Sequence, residues 1–177
     1  MSILIVSGCP GSGKTTVSAM LSARADNGVH LVTDRFYGWL ARPIDPTLPA
    51  SRAQNETVAG AFARAARSFH QGGYDVIVDG VVGPWMLPVV EAALGPAAAG
   101  TGYVVLRPRL ADAVARASGR PDTPAEPHVV EAMFAQFSDL GSHERHALEV
   151  GGASPDELVA RIVADPTRWQ LGAPARD

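Results

Sequence analysis

The 177-residue chain has one cysteine, one lysine and no long apolar run, and each of these shortages limits the classes of protein to which it can belong. A single cysteine excludes an intramolecular disulfide and favours a reducing compartment. No apolar stretch reaches the roughly 18 residues of a membrane-spanning helix, and no charged leader precedes the first apolar run, so we expect a cytoplasmic protein with no membrane partner. A net charge of −3 leaves no basic stripe for a nucleic acid.

The only lysine lies in a motif, whereas the other fourteen basic residues are all arginine. The stretch Gly8–Thr15 reads G-x-x-x-x-G-K-T, the Walker A phosphate loop, with an apolar strand before it and a helix after it. Its glycines let backbone N–H groups point at phosphate oxygens, its lysine bridges the terminal phosphates, and its threonine hydroxyl holds magnesium. A glycine-rich turn that caps a structural helix is the alternative. The predicted nucleotide-binding residues are Gly8, Cys9, Pro10, Gly11, Ser12, Gly13, Lys14, Thr15 and Thr16.

Cys9 allows two interpretations. Its proximity to a helix N-terminus and to Lys14 would lower the thiol pKa and make it reactive. Alternatively, it is a small residue that fills the loop.

Strands alternate with helices along the chain. Apolar runs predict strands at 2–7, 30–33, 74–80, 103–106 and 147–150, and helical spacing predicts helices at 16–25, 51–71, 83–94, 110–118, 129–137 and 154–165. This alternation predicts one α/β domain over residues 1–177, with a parallel sheet covered by helices on both faces. We expect residues 166–177 to form a loose tail.

Two acids follow predicted strands, at the edge of a parallel sheet where ligands gather. Asp79 ends the run Val76-Ile77-Val78 and matches a Walker B acid, which holds magnesium; a turn-forming acid is the alternative. Asp34 ends the second strand and is placed to accept a proton from an acceptor hydroxyl. Alternatively, Asp34 caps the helical turn that follows it.

Two arginines and a proline-rich segment predict a lid. Arg116 and Arg120 are four residues apart, so they are expected to share a helix face that runs into a lid at about 116–128. Lid closure would bring both guanidinium groups to the phosphates, although surface arginines are common. Residues 34–70 form the expected substrate-binding segment.

These features together resemble the small P-loop kinases, and more narrowly the chloramphenicol phosphotransferase-like group, which is related to shikimate, gluconate and adenylate kinases. The resemblance covers about residues 2–165. It implies a three-layer α/β/α P-loop NTPase fold with five parallel strands in the order 2-3-1-4-5. It also implies ATP and Mg²⁺ as cofactors and phosphate transfer to the hydroxyl of a small-molecule acceptor.

The resemblance assigns roles to particular residues. It implies that Asp34 is the catalytic base, that Arg116 and Arg120 are lid arginines, and that Gly151 lies where the backbone approaches adenine. The segment around Tyr37 carries no recognisable acceptor signature, so the acceptor stays open among antibiotic-like, sugar-acid-like and shikimate-like molecules. A nucleotide or nucleoside kinase and a non-catalytic ATP-binding regulator remain as alternatives, and the oligomeric state is open.

Overall fold

The computed structural model describes residues 3–121 and 124–172. The strands are β1 (Ile3–Ser7), β2 (Gly28–Val32), β3 (Asp75–Asp79), β4 (Gly102–Arg107) and β5 (Ala147–Glu149). The helices are α1 (Lys14–Ser22), α2 (Asp34–Tyr37), α3 (Arg52–Gln71), α4 (Leu87–Leu94), α5 (Leu110–Ser118), α6 (Pro127–Gln136) and α7 (Pro155–Ala164). The strands form one parallel sheet in the order β2-β3-β1-β4-β5, which confirms the predicted fold class.

The central strand β1 is apolar from Ile3 to Val6, which suits a strand with both faces of the sheet covered. Successive side chains point to opposite faces, so Ile3 and Ile5 join one core cluster, whereas Leu4 and Val6 join the other. Helices α3, α4 and α6 contribute to the first cluster, and α1 and α7 contribute to the second. None of the helices within the two described ranges is long and apolar enough to cross a bilayer.

The strand register brings the predicted site residues to one edge of the sheet. Val6 on β1 lies opposite Asp79 on β3, and Val32 at the end of β2 also lies opposite Asp79. The phosphate loop and Asp34 therefore leave the sheet beside the carboxyl end of β3.

Several predicted boundaries differ from the observed ones. Helix α1 covers Lys14–Ser22 rather than 16–25, because Gly13, with a φ of 93°, lies directly before its first turn. Ser51 occupies the N-cap position of α3, but its hydroxyl makes no capping bond; it lies 3.0 Å from the carbonyl of Pro46 and 2.6 Å from that of Leu48 instead. At the start of α7, Ser154 and Glu157 form a capping box.

The predicted loose tail at 166–177 is wrong for its first part. Trp169 is buried, and its indole N–H donates to the carbonyl of Ile162 over 3.1 Å. The carbonyl of Trp169 accepts from the amide of Tyr103 at 2.7 Å, and Leu171 donates to Thr101 at 2.9 Å. This segment docks because an indole can fill the second core cluster. Residues 173–177 lie outside the described part.

Candidate active site

The turns of the phosphate loop are formed by glycines that no other residue type can replace without backbone strain. Gly8, Gly11 and Gly13 have φ values of 142°, 77° and 93°, in the region that L side chains rarely adopt. A β-carbon at Gly8 would lie 2.6 Å from the carbonyl oxygen of Leu106, and one at Gly11 would overlap the carbonyl oxygen of Ala113. The loop therefore lies directly against β4 and α5.

Two polar side chains of the loop are buried in a way that fits a phosphate ligand. The Ser12 hydroxyl is buried and has no hydrogen-bond partner among the described residues. Lys14 is only 7 % exposed, and burial lowers the pKa of its ammonium group, whereas Asp79 and Asp34 raise that pKa. An orphaned donor and a desolvated cation at the N-terminus of α1 match the needs of a bound polyphosphate.

Cys9 is almost completely buried inside the loop. Burial raises the pKa of its thiol, and the opposing effect of Lys14 is smaller. This environment favours the loop-filling interpretation over a reactive thiol.

Asp79 has a partner that the sequence did not reveal. Its Oδ2 lies 3.1 Å from Nε2 of His30, while its buried Oδ1 has no hydrogen-bond partner among the described residues. Because Val32 lies opposite Asp79, His30, two residues earlier, lies on the same face of the sheet. The register of β2 against β3 is the only information that could have predicted this pair.

The residues predicted to hold magnesium fit that ion. Asp79 offers a free, buried carboxylate oxygen, and Thr15 lies exposed in the first turn of α1. Magnesium at phosphate sites takes one or two protein oxygens and draws its other ligands from phosphates and water. Within the described ranges, no group of three or more His, Cys, Asp or Glu residues is arranged to hold a metal.

Asp34 is the exposed first residue of α2, and its position depends on Gly80. The preceding residue, Thr33, donates its amide to the carbonyl of Asp79 at 2.9 Å, and its side chain occupies the space where a β-carbon at Gly80 would lie. The capping alternative is not observed, since Thr33 occupies the N-cap position and no side chain caps α2. No hydrogen bond to the Asp34 carboxylate occurs in the described part of the chain.

A cavity of about 380 Å³ opens beside Asp34, and Pro10 of the phosphate loop lies in its wall. The segment after β3, which includes Val81, forms another side of the cavity. Ser7 at the end of β1 holds this segment in place: its hydroxyl donates to the carbonyl of Val82 at 2.8 Å and accepts from the amide of Val82 at 2.9 Å. The Tyr103 hydroxyl donates to the same carbonyl at 2.7 Å. These bonds tie the cavity wall to the ends of β1 and β4.

The two predicted lid arginines lie near the loop but do not share a helix face. Helix α5 ends at Ser118, so Arg120 lies beyond it, and that part of the prediction is wrong. A guanidinium nitrogen of Arg116 lies 3.8 Å from where a β-carbon on Gly13 would be. Arg120 lowers the pKa of Lys14 by charge repulsion. Of the predicted lid, 116–128, residues 122 and 123 lie outside the described part.

Other residues at this edge do not join the loop. Arg107 at the end of β4 pairs with Glu144 at 2.7 Å and with Glu149 at 3.3 Å. Gly151 has a φ of 53°, and nothing lies within 4 Å of where its β-carbon would be; its place beside adenine stays a prediction.

The fold and the loop define a P-loop protein. The profile of the AAA-domain family matches residues 4–139, and the chain belongs to that family. No curated protein matches the sequence. The predicted P-loop family and fold are thereby confirmed, whereas the kinase role and the narrower phosphotransferase group stay predictions.

Solved structures share the fold at low sequence identity. An unliganded sugar kinase from Janibacter is 17 % identical with a TM-score of 0.70, over 97 % of this chain and 99 % of that one. The tunicamycin resistance protein of Deinococcus radiodurans is 15 % identical with a TM-score of 0.64, over 98 % and 100 %. The APS kinase of Mycobacterium tuberculosis, in complex with AMPPNP and APS, is 16 % identical with a TM-score of 0.67, over 92 % and 96 %.

Proposed function

We propose that the protein is an ATP-dependent phosphotransferase that moves the terminal phosphate of ATP to a hydroxyl group of a small molecule. One observation carries the proposal: Asp34 and Pro10 of the phosphate loop line the same cavity. An acceptor in that cavity has a carboxylate on one side and the phosphate donor on the other. A regulator that only binds ATP does not need such a cavity.

Each step of the transfer has a residue to perform it. Asp34 takes the proton of the acceptor hydroxyl, and its carboxylate has no competing hydrogen bond within the described ranges. The acceptor oxygen bonds to the terminal phosphorus while the bond to the bridging oxygen breaks, and ADP leaves. Lys14, Arg116 and Arg120 stabilise the charge on the transferring group.

The loop residues 8–16 hold the phosphates, and the backbone at Gly151 approaches the adenine. Thr15 and Asp79 hold Mg²⁺, which neutralises phosphate charge when it is bound. The free Oδ1 of Asp79 supports this assignment. The similar structures of a sugar kinase, a gluconokinase and an APS kinase support a kinase on this fold.

The proposal is tested by ADP release over a panel of hydroxylated antibiotics, sugars, sugar acids, shikimate, nucleosides and nucleoside monophosphates. We expect at least one acceptor to stimulate release, and we expect Lys14→Ala to abolish the stimulation by weakening the use of nucleotide. Tight binding of ATP with no stimulation by any acceptor would favour the regulator. Stimulation by nucleosides or their monophosphates alone would favour the nucleotide or nucleoside kinase.

A further inference from the structure

We infer that the acceptor is an uncharged alcohol with an apolar portion, bound across two adjoining cavities beside the phosphate loop. This inference rests on the proposed function and names its substrate class. The first cavity, which Asp34 lines, has a largely apolar wall that includes Phe62, Val81, Met86 and Met133. Such a wall suits a ligand that loses apolar surface to the protein.

The charge of the first cavity disfavours an anionic acceptor. Among the described residues that line it, none is lysine or arginine, and the ionisable side chains are Asp34 and Tyr37. Burial and the nearby Asp34 raise the pKa of Tyr37, so this residue remains a neutral hydroxyl. A carboxylate or phosphate on the acceptor would therefore lie unpaired beside a like charge, which weakens binding by about 10- to 100-fold.

The polar groups of the cavity suit a hydroxyl. The Tyr37 hydroxyl donates to Oδ1 of Asn55 at 3.2 Å, which leaves the Tyr37 oxygen free to accept. Both donors of Asn55 are committed, since its Nδ2 lies 2.9 Å from the carbonyl of Pro46 and 2.9 Å from the hydroxyl of Ser51. Tyr37 and Asp34 therefore present hydrogen-bond acceptors to a hydroxyl that donates, and Gln136, which also lines the cavity, has a neutral amide that can donate or accept.

A second cavity of about 480 Å³ continues the first. The two share four lining residues: Thr47, Asn55, Trp85 and Met86. The second cavity adds apolar groups such as Leu48 and Val89, and its charged residues, Arg52 and Glu56, pair with each other at 2.8 Å. A second chamber without net charge fits the apolar portion of the same acceptor.

Binding of matched glucosides tests the inference. Phenyl β-glucoside and phenyl β-glucuronide differ in charge, whereas methyl and hexyl β-glucoside differ in apolar length. Binding in the presence of a non-hydrolysable ATP analogue is followed by tryptophan fluorescence, and Trp85→Phe identifies the signal from the shared wall. We expect phenyl glucoside to bind at least about tenfold more tightly than the glucuronide, and hexyl glucoside more tightly than methyl glucoside.

A charge in the second cavity gives an independent test. Leu48 is half exposed, so Leu48→Asp leaves the core intact, and Val163→Asp on α7 is a matched control at a similarly exposed apolar residue. Leu48→Asp should erase the preference for the hexyl chain, while Val163→Asp should leave it unchanged.

Three results would overturn the inference: equal or tighter binding of the glucuronide, no binding of any neutral glucoside while the ATP analogue binds, or a hexyl preference that survives Leu48→Asp. Failure of this inference and failure of the proposed function give different results. ADP release stimulated by an anionic acceptor would uphold the kinase and refute the uncharged acceptor. Neutral ligands that bind with the expected charge preference but never stimulate release would uphold the cavity assignment and refute the kinase.

Discussion

The substitution Gly11→Ala measures how closely the phosphate loop packs against α5. Gly11 has a φ of 77°, and a β-carbon there would overlap the carbonyl oxygen of Ala113 and lie 3.0 Å from its α-carbon. The backbone strain costs about 1–2 kcal/mol, and the overlap adds about 1–3 kcal/mol. Gly73 is the matched control, because its φ is 86° but nothing lies within 4 Å of its β-carbon position.

Urea unfolding followed by circular dichroism measures both costs. We expect Gly73→Ala to lower the free energy of unfolding by about 1–2 kcal/mol and Gly11→Ala to lower it by about 1–3 kcal/mol more. Calorimetry should show that ATP binding is weakened at least about tenfold in Gly11→Ala alone, because the loop must move away from α5. Equal losses of stability in the two variants, or unchanged ATP binding by Gly11→Ala, would refute the described packing.

Three further predictions concern buried groups. His30→Ala leaves both Asp79 oxygens without a partner, so urea unfolding in metal-free buffer should show a loss of about 1–3 kcal/mol; His30→Gln, which keeps a donor, should lose less, and equal losses would contradict the pairing. Burial lowers the pKa of His146 to about 4, so the unfolded chain binds a proton that the folded chain lacks between about pH 6.5 and 4. The urea midpoint should fall as the pH is lowered through that window, and this fall should be smaller in His146→Asn; an unchanged slope in the variant would argue against a neutral buried imidazole. Cys9 in the folded protein should react with iodoacetamide at pH 8 at least about tenfold more slowly than in the urea-unfolded chain, and similar rates would restore the reactive-thiol interpretation.

The sequence was sufficient to predict the fold where local and global signals agree. A strand with an unbroken apolar run, such as Ile3–Val6 of β1, is typical of a sheet covered on both faces, and a G-x-x-x-x-G-K-T motif between a strand and a helix has one common structural context. The strand order came from the resemblance to a family, since strand patterns alone do not specify which strands are neighbours. The docked Trp169 segment was missed because it has no periodic pattern, and its single aromatic anchor depends on a gap in the tertiary packing.

The candidate site also has one part that can be predicted from the sequence and another that depends on the tertiary structure. The positions of the loop residues and of the two acids at the carboxyl ends of β2 and β3 follow from motif and strand ends, so the sequence predicted where they lie, and their roles stay predictions. The His30–Asp79 pair depends on the register of two parallel strands, and the position of Arg120 depends on where α5 ends. The cavities depend on Tyr37, Asn55 and Trp85, which come from three separate elements that only tertiary folding brings together.

The most direct test of the proposed function is transfer of the labelled terminal phosphate of ATP to an acceptor by the wild-type protein and by Asp34→Asn. We expect Asp34→Asn to bind ATP like the wild type but to transfer phosphate at least about 100-fold more slowly, because the base is lost. Asp26→Asn, which changes an exposed carboxylate before β2, should transfer at the wild-type rate. An Asp34→Asn enzyme with full turnover would contradict the account.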